Sequence, residues 1–291
     1  MIVVTGATGQ LGRAIVERLL DRVPADWIGA SVRDPGKAED LANRGVRVRH
    51  GDFADPSSLE TAFEGASQVL IVSSNARASG GDTLAQHHAA IAAAKAAGAG
   101  RIVYTSHMGA SATSAFPPMH DHAATEAMLA QVGIAWTSLR NGFYASTVPM
   151  LIGDAVTSGV LAAPADGTVS WTTHADLAEA AALVLTGQVR FDGPTPPLTA
   201  SEALDLADVA GILSDLLGRT IARRLTSDAE QETQLAARGL PSGAINIALG
   251  LFRASRANEF AIVDPTLTKL LGRAPTSLRG VLAVNGLPSV K

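Results

Sequence analysis

A doubly wound, parallel α/β sheet is the fold class that this 291-residue sequence predicts, and three observations predict it. A β-branched run, Ile2-Val3-Val4, gives way to glycines at positions 6, 9 and 12. An amphipathic pattern, Ala14-Ile15-Val16 to Leu19-Leu20, follows at once. Short apolar runs then alternate with helical patterns as far as Arg140, as expected of strands covered on both faces by crossover helices.

Taken in order, Trp27–Val32 reads as the second strand, followed by a short helix from about Gly36 to Asn43. Val46–His50 reads as the third strand. Asp55-Pro56 is an N-cap with proline in the first turn, opening a helix through Phe63. Gln68–Ser73 is the fourth strand, and the alanine-rich helix from Asp82 to Ala97 is closed by Gly98. Arg101–Ser106 is the fifth strand, and a helix from about His120 to Val132 leads to the sixth, Ala135–Arg140. The second half is less regular. Thr173 reads as a helix cap with Asp176 three residues on, and helical patterns recur at 204–217, 228–238, 244–256 and 265–271. The expected organisation is a Rossmann-type domain at 1–150, then a segment at 151–291 that completes the sheet and forms a smaller, mostly helical lobe covering the substrate.

The glycine spacing GxxGxxG between a strand and a helix points to a dinucleotide. Glycines permit the tight turn and the close approach of a pyrophosphate, and the helix N-terminus offers unpaired N–H groups. Ligands of such sheets bind beyond the carboxyl ends of the strands. The second strand ends Ser31-Val32-Arg33-Asp34, with Lys37 beyond. Arg33 can clasp a 2′-phosphate with its planar fork, so NADPH is expected over NADH. In the alternative, Asp34 holds the ribose hydroxyls. Asp52, just past the third strand, is placed to accept from the adenine amino group.

The opening TGATGQLG resembles the extended and atypical short-chain dehydrogenase/reductases. With VRHGDFADPSSLETAFEG at 48–65, LRNGFY at 139–144 and DPTLTKLLGRAPTSL at 264–278, nearly the whole chain resembles the NmrA-like group, and within it the NAD(P)H:quinone oxidoreductase and triphenylmethane reductase branch. The resemblance implies that the turn carrying Gly6, Thr8, Gly9, Gln10, Leu11 and Gly12, together with Arg33, holds the dinucleotide phosphates. It implies that Asp52 and Phe53 border the adenine. Ser73, Ser74, Asn75, Thr105, Ser106, His107, Arg140, Asn141, Gly142 and Phe143 then border the nicotinamide end.

One departure shapes the chemistry. Short-chain dehydrogenases use Tyr-x-x-x-Lys as a proton relay; here the corresponding helix reads His122-Ala123-Ala124-Thr125-Glu126. Neither tyrosine, Tyr104 or Tyr144, has a lysine four residues on, so no catalytic acid is assigned. Hydride transfer to an acceptor that is already electrophilic needs mainly proximity and orientation. The expected function is therefore NADPH-dependent reduction of a quinone or similar planar acceptor. The alternative is a non-catalytic redox sensor that binds the cofactor and regulates a partner protein.

His122 is read as a weak proton donor titrating near neutrality. Phe143 and Tyr144 are candidates to stack on a planar acceptor, Met108 and Phe116 to border it, and 244–252 to form a lid. Glu126 reads as structural or solvent-facing, and His87 and His88 as packing or surface residues. His120-Asp121-His122 invites a metal reading, but no matching ligand cluster appears elsewhere, so no metal is expected. The net charge of −4 and scattered cations argue against nucleic acid, and the sequence contains no cysteine for thiolate or disulfide chemistry. No apolar stretch is long enough for a bilayer and the first strand begins at residue 2, so a cytoplasmic protein without membrane attachment is expected.

Overall fold

The computed structural model describes residues 1–284. Its strands are β1 (Ile2–Thr5), β2 (Ile28–Val32), β3 (Arg47–His50), β4 (Gln68–Ile71), β5 (Arg101–His107), β6 (Ala135–Asn141), β7 (Phe143–Tyr144), β8 (Val160–Pro164), β9 (Trp171–Thr172), β10 (Gly193–Pro194) and β11 (Ala222–Thr226). Between and after them run α1 (Gln10–Leu20), α2 (Glu39–Asn43), α3 (Pro56–Phe63), α4 (Thr83–Ala96), α5 (Pro118–Ala130), α6 (Val148–Ile152), α7 (Ala155–Ser158), α8 (His174–Leu185), α9 (Leu206–Leu217), α10 (Asp228–Ala237), α11 (Ser242–Arg256), α12 (Thr266–Leu271) and α13 (Leu278–Val284).

Seven parallel strands form the main sheet in the order β10-β6-β5-β4-β1-β2-β3. The chain winds outward from β1 through β2 and β3, then returns to place β4 on the other side. Strand order therefore reverses between β1 and β4, where a crevice forms at the carboxyl ends. Alternate residues of each strand feed opposite faces. Ile2, Val4, Leu70, Val103 and Leu139 meet Leu11, Ile15 and Leu19 of α1 and Leu177, Ala181 and Leu185 of α8. Val3, Val69, Ile71, Ile102 and Tyr104 face Leu59 and Phe63 of α3, Ile91 of α4 and Leu129 of α5.

A separate apolar cluster holds the lobe together. Phe116, Phe143, Trp171, Leu206, Leu213, Phe252, Phe260 and Leu278 are among its buried members. Two parallel pairs, β8 with β11 and β7 with β9, frame it.

The strands end where side chains take over their backbone groups. β4 stops at Ile71, two residues short of the sequence reading, because the N–H groups of Val72 and Ser73 donate to Thr5 Oγ1 and Thr105 Oγ1, both at 2.9 Å. The helix expected at 36–43 divides into a 3₁₀ turn over Pro35–Ala38 and the short α2, because Asp34 caps the turn by accepting from Gly36 N–H. Trp27 lies outside β2 and is exposed.

Asp176 explains why the segment around Arg273 is bound to the sheet domain. Its carboxylate is fully buried and accepts from Thr173 Oγ1 (2.7 Å), Thr276 N–H (2.8 Å) and Arg273 Nη2 (2.7 Å). Burial alone would raise its pKa, but these bonds outweigh it and hold the carboxyl below the ordinary range. A depressed carboxyl stabilises the fold above the unfolded-state pKa, and that contribution is lost as pH falls through the folded value. Asp176→Asn is therefore expected to cost about 2 kcal/mol at neutral pH. Urea denaturation of both proteins should show the gap narrowing only once pH has fallen below the ordinary carboxylate range, as the wild-type carboxylate is itself protonated.

Candidate active site

The turn between β1 and α1 has the properties a pyrophosphate site requires. Gly6 takes φ +59°, a left-handed conformation that favours glycine, and its carbonyl accepts from Gly9 N–H at 2.9 Å. A β-carbon on Gly12 would stand 2.3 Å from Gly6 O and 2.8 Å from its carbonyl carbon, so helix and turn touch backbone to backbone. Gly9 is the N-cap and supplies no side-chain acceptor, which leaves the first-turn N–H groups without a capping side chain. Gly6, Thr8, Gly9 and Gln10 are exposed, while the side chain of Leu11 anchors the helix in the core.

At the end of β2, Arg33 is exposed and forms no ion pair among the described residues. Its carbonyl accepts from His50 Nδ1 at 3.0 Å. Asp34 is occupied by the cap to Gly36 and stands 3.8 Å from Lys37 Nζ. The arginine, rather than the aspartate, is the uncommitted side chain. Asp52 accepts from Ala54 N–H through Oδ1 (2.9 Å), and the half-buried Phe53 packs against the α3–α4 face.

The loop after β4 is fixed from beneath. Ser74 N–H donates to His87 Nε2 (2.8 Å), its hydroxyl donates to Gln86, and Arg77 grips the buried Asp121 with two bonds of 2.5 and 2.6 Å. His87 lies buried in the core, and burial pushes its pKa down to about 4. Ser73 and Asn75 remain at the surface of this loop, Ser73 half-buried and Asn75 exposed.

Thr105, Ser106, Asn141 and Phe143 are all buried. The Ser106 hydroxyl donates to Glu126 Oε1 at 2.8 Å, and the same oxygen accepts from Ser138 Oγ (2.9 Å) and Arg140 Nε (3.1 Å). Oε2 accepts from Arg140 Nη2 at 2.7 Å. Burial would raise the Glu126 carboxyl, yet these bonds and the Arg140 charge hold it below the ordinary range. Glu126 is thus a structural carboxylate joining α5 to β5 and β6. Asn141 differs: its Oδ1 is enclosed and has no hydrogen-bond partner among the described residues. Such an atom is expensive to leave unpaired and fits a bound donor. Phe143 sits edge-on to His107, Trp171 and Phe260, within the lobe cluster and close to the ends of β5 and β6.

The reading of His122 as an acid near neutrality is corrected by its surroundings. Desolvation pushes its pKa down to about 4 despite the nearby carboxylates of Glu126 and Asp121, so the ring is neutral at physiological pH. Both tyrosines are shifted upward by burial, Tyr104 strongly. His120, Asp121 and His122 point to different partners, Ser114 O, Arg77 and Tyr104. Among the described residues no three His, Asp or Glu side chains converge as a metal site.

Sequence reasoning missed the clamp on the loop after β5. Glu259 accepts from Ser114 Oγ and Ala115 N–H, and Gly250 of α11 packs against Ala115–Pro117. The 244–252 run thus lies over the loops that follow β4 and β5. No spacing signal marks a lone Glu259 in a coil segment. Two surface depressions lie elsewhere: about 560 Å³ at the N-terminal strand edge beside Trp27, and about 480 Å³ beside α9 and Arg279. No helix among the described residues is long and apolar enough to cross a membrane.

Comparison with known proteins agrees with this geometry. A family model described as NAD(P)H-binding matches residues 6–187. Quinone oxidoreductase 2 of Escherichia coli is 38% identical over 280 residues, covering 96% of each chain. The crystal structure of an E. coli NADPH-dependent quinone oxidoreductase with NADPH superposes with a TM-score of 0.90 at 35% identity, covering 97% of this chain and 99% of that one. Triphenylmethane reductase of Citrobacter sp., complexed with NADP(H), gives a TM-score of 0.86 at 34% identity, covering 98% and 100%. An NmrA-like oxidoreductase of Aspergillus flavus is 28% identical over 281 residues, covering 94% of this chain and 90% of its own. The chain belongs to the NAD(P)H-binding, NmrA-like family of oxidoreductases.

Proposed function

We propose that this protein is an NADPH-dependent reductase of quinones or similar planar, electron-poor acceptors. The observation that carries the reading is the saturation of Glu126 by Ser106, Ser138 and Arg140, one turn from a His122 that burial keeps neutral at physiological pH. A site without an acid suits acceptors that take a hydride unaided. When bound, NADPH supplies that hydride.

The chain's own residues bind and orient. The first-turn N–H groups of α1 and the turn at Gly6, Thr8, Gly9, Gln10, Leu11 and Gly12 receive the pyrophosphate. Arg33 clasps the 2′-phosphate, and Asp52 with Phe53 borders the adenine. Ser73, Ser74, Asn75, Thr105 and Ser106 line the nicotinamide side, where Asn141 Oδ1 accepts a hydrogen bond. Phe143 backs the acceptor site. In this division of labour, residues 1–150 hold the dinucleotide, and the described part of the 151–291 segment, residues 151–284, covers the acceptor with Phe143; residues 285–291 lie outside the described residues.

The test follows absorbance at 340 nm while the protein and NADPH are mixed with benzoquinones and a triarylmethane dye. Saturable oxidation by one acceptor class, slower with NADH, is expected. Tight NADPH binding with no turnover on any acceptor would replace this reading with that of a cofactor sensor.

A further inference from the structure

The buried His107 at the end of β5 and the half-buried His122 of α5 share an arrangement. His107 Nδ1 accepts from Gly109 N–H at 3.1 Å. His122 Nδ1 lies 2.8 Å from the Tyr104 hydroxyl, whose other neighbour, the Thr125 hydroxyl, already accepts from His87 Nδ1 at 2.8 Å, so the phenol donates to the imidazole. With Nδ1 accepting in both rings, each neutral imidazole carries its hydrogen on Nε2. Neither Nε2 bonds to any described residue, His107 keeps 8% of its surface exposed and His122 is half-buried, so neither ring is fully sealed. The ring centroids are 6.0 Å apart with planes inclined by 31°. Phe143 and Phe260 hold His107 edge-on at 5.2 and 5.4 Å.

We propose that the Nε2–H groups of His107 and His122 form a donor pair for the acceptor's carbonyl oxygen, stabilising the oxyanion that hydride transfer creates. This rests on the reductase reading and adds the groups that recognise oxygen. The acceptor gains a hydride from the bound dinucleotide, its carbonyl electrons move onto oxygen, and the resulting quinolate takes one proton from water. The imidazoles lose no proton. Burial keeps both rings neutral, with Asp121, Glu126, His87 and Tyr104 as the titratable groups around them. Preorganised neutral donors of this kind act without reorganisation as the charge develops.

The test compares two acceptors, one that forms an oxyanion and one that does not. In His122→Phe, kcat with 1,4-benzoquinone is expected to fall about 100-fold. Reduction of a triarylmethane carbocation, which leaves no oxyanion, should change by less than about twofold, and NADPH affinity should be unchanged. His122→Gln keeps an N–H donor and should restore most of the quinone rate. Independently of turnover, 4-nitrophenolate should bind the NADP⁺-loaded wild type about tenfold more tightly than His122→Phe. An equal fall on quinone and dye, or equal phenolate affinity, would overturn the donor pair. So would a quinone rate titrating at about pH 6–7 that His122→Gln abolishes, since that would make His122 an acid. If the wild type turns over neither acceptor, the reductase reading fails, while phenolate binding still decides the donor pair.

Discussion

Gly12→Val is expected to lower NADPH affinity by on the order of 100-fold or more while far-UV circular dichroism stays close to wild type. The new β-carbon would meet Gly6 O at 2.3 Å and Thr5 O at 3.1 Å, and all of the obstructing atoms are backbone. No rotamer can relieve that contact, so α1 must withdraw from the turn. Withdrawal removes its N-terminal N–H groups from the position at which Gly6 and Gly9 present a phosphate. Overpacking costs about 1–3 kcal/mol of stability, which thermal melting would read. Fluorescence titration with NADPH should show the larger loss in binding. An affinity within threefold of wild type would mean that the pyrophosphate does not rest on this turn.

Arg33→Ala should separate the two nicotinamide cofactors. Arg33 is open to solvent and unpaired among the described residues, whereas Asp34 is committed to its turn and faces Lys37. Loss of charge-assisted bonds to a 2′-phosphate costs about 1.5–3 kcal/mol, equivalent to roughly 10–100-fold in NADPH affinity. NADH affinity should move by less than about twofold, and the NADPH titration should lose part of its salt dependence. Equal loss on both cofactors would instead assign Arg33 a role in local folding.

The parts of this architecture that were legible from residues are those in which local chemistry and tertiary structure agree. The β-branched run before Gly6, the Asp55-Pro56 start and the Thr173–Asp176 cap are each written in adjacent residues and occur as read. The β8–β11 pair was not legible. Ala222–Thr226 carries two arginines and an exposed leucine, and its partner ends in proline, so neither segment shows a strand's alternation. The tight turn at Gly6–Gly12 was legible because glycine spacing is a local signal. The neutrality of His122 was not, because it arises from desolvation by distant segments. Glu126 was readable as structural, but not its four bonds, which come from three residues on two strands.

The packing of α1 against α8 has a consequence for how the chain acquires its structure. Ile15 and Leu19 are sealed by Leu177, Ala181 and Leu185, which follow more than half a chain later. During synthesis, the nucleotide half therefore emerges with one apolar face of its sheet only partly covered, by α1, until α8 arrives. Contacts of such large sequence separation form slowly, and nascent chains that wait for them are prone to aggregate. A fragment cut before Thr173 should accordingly be recovered as chaperone-bound or insoluble material, even though it carries every strand from β1 to β9.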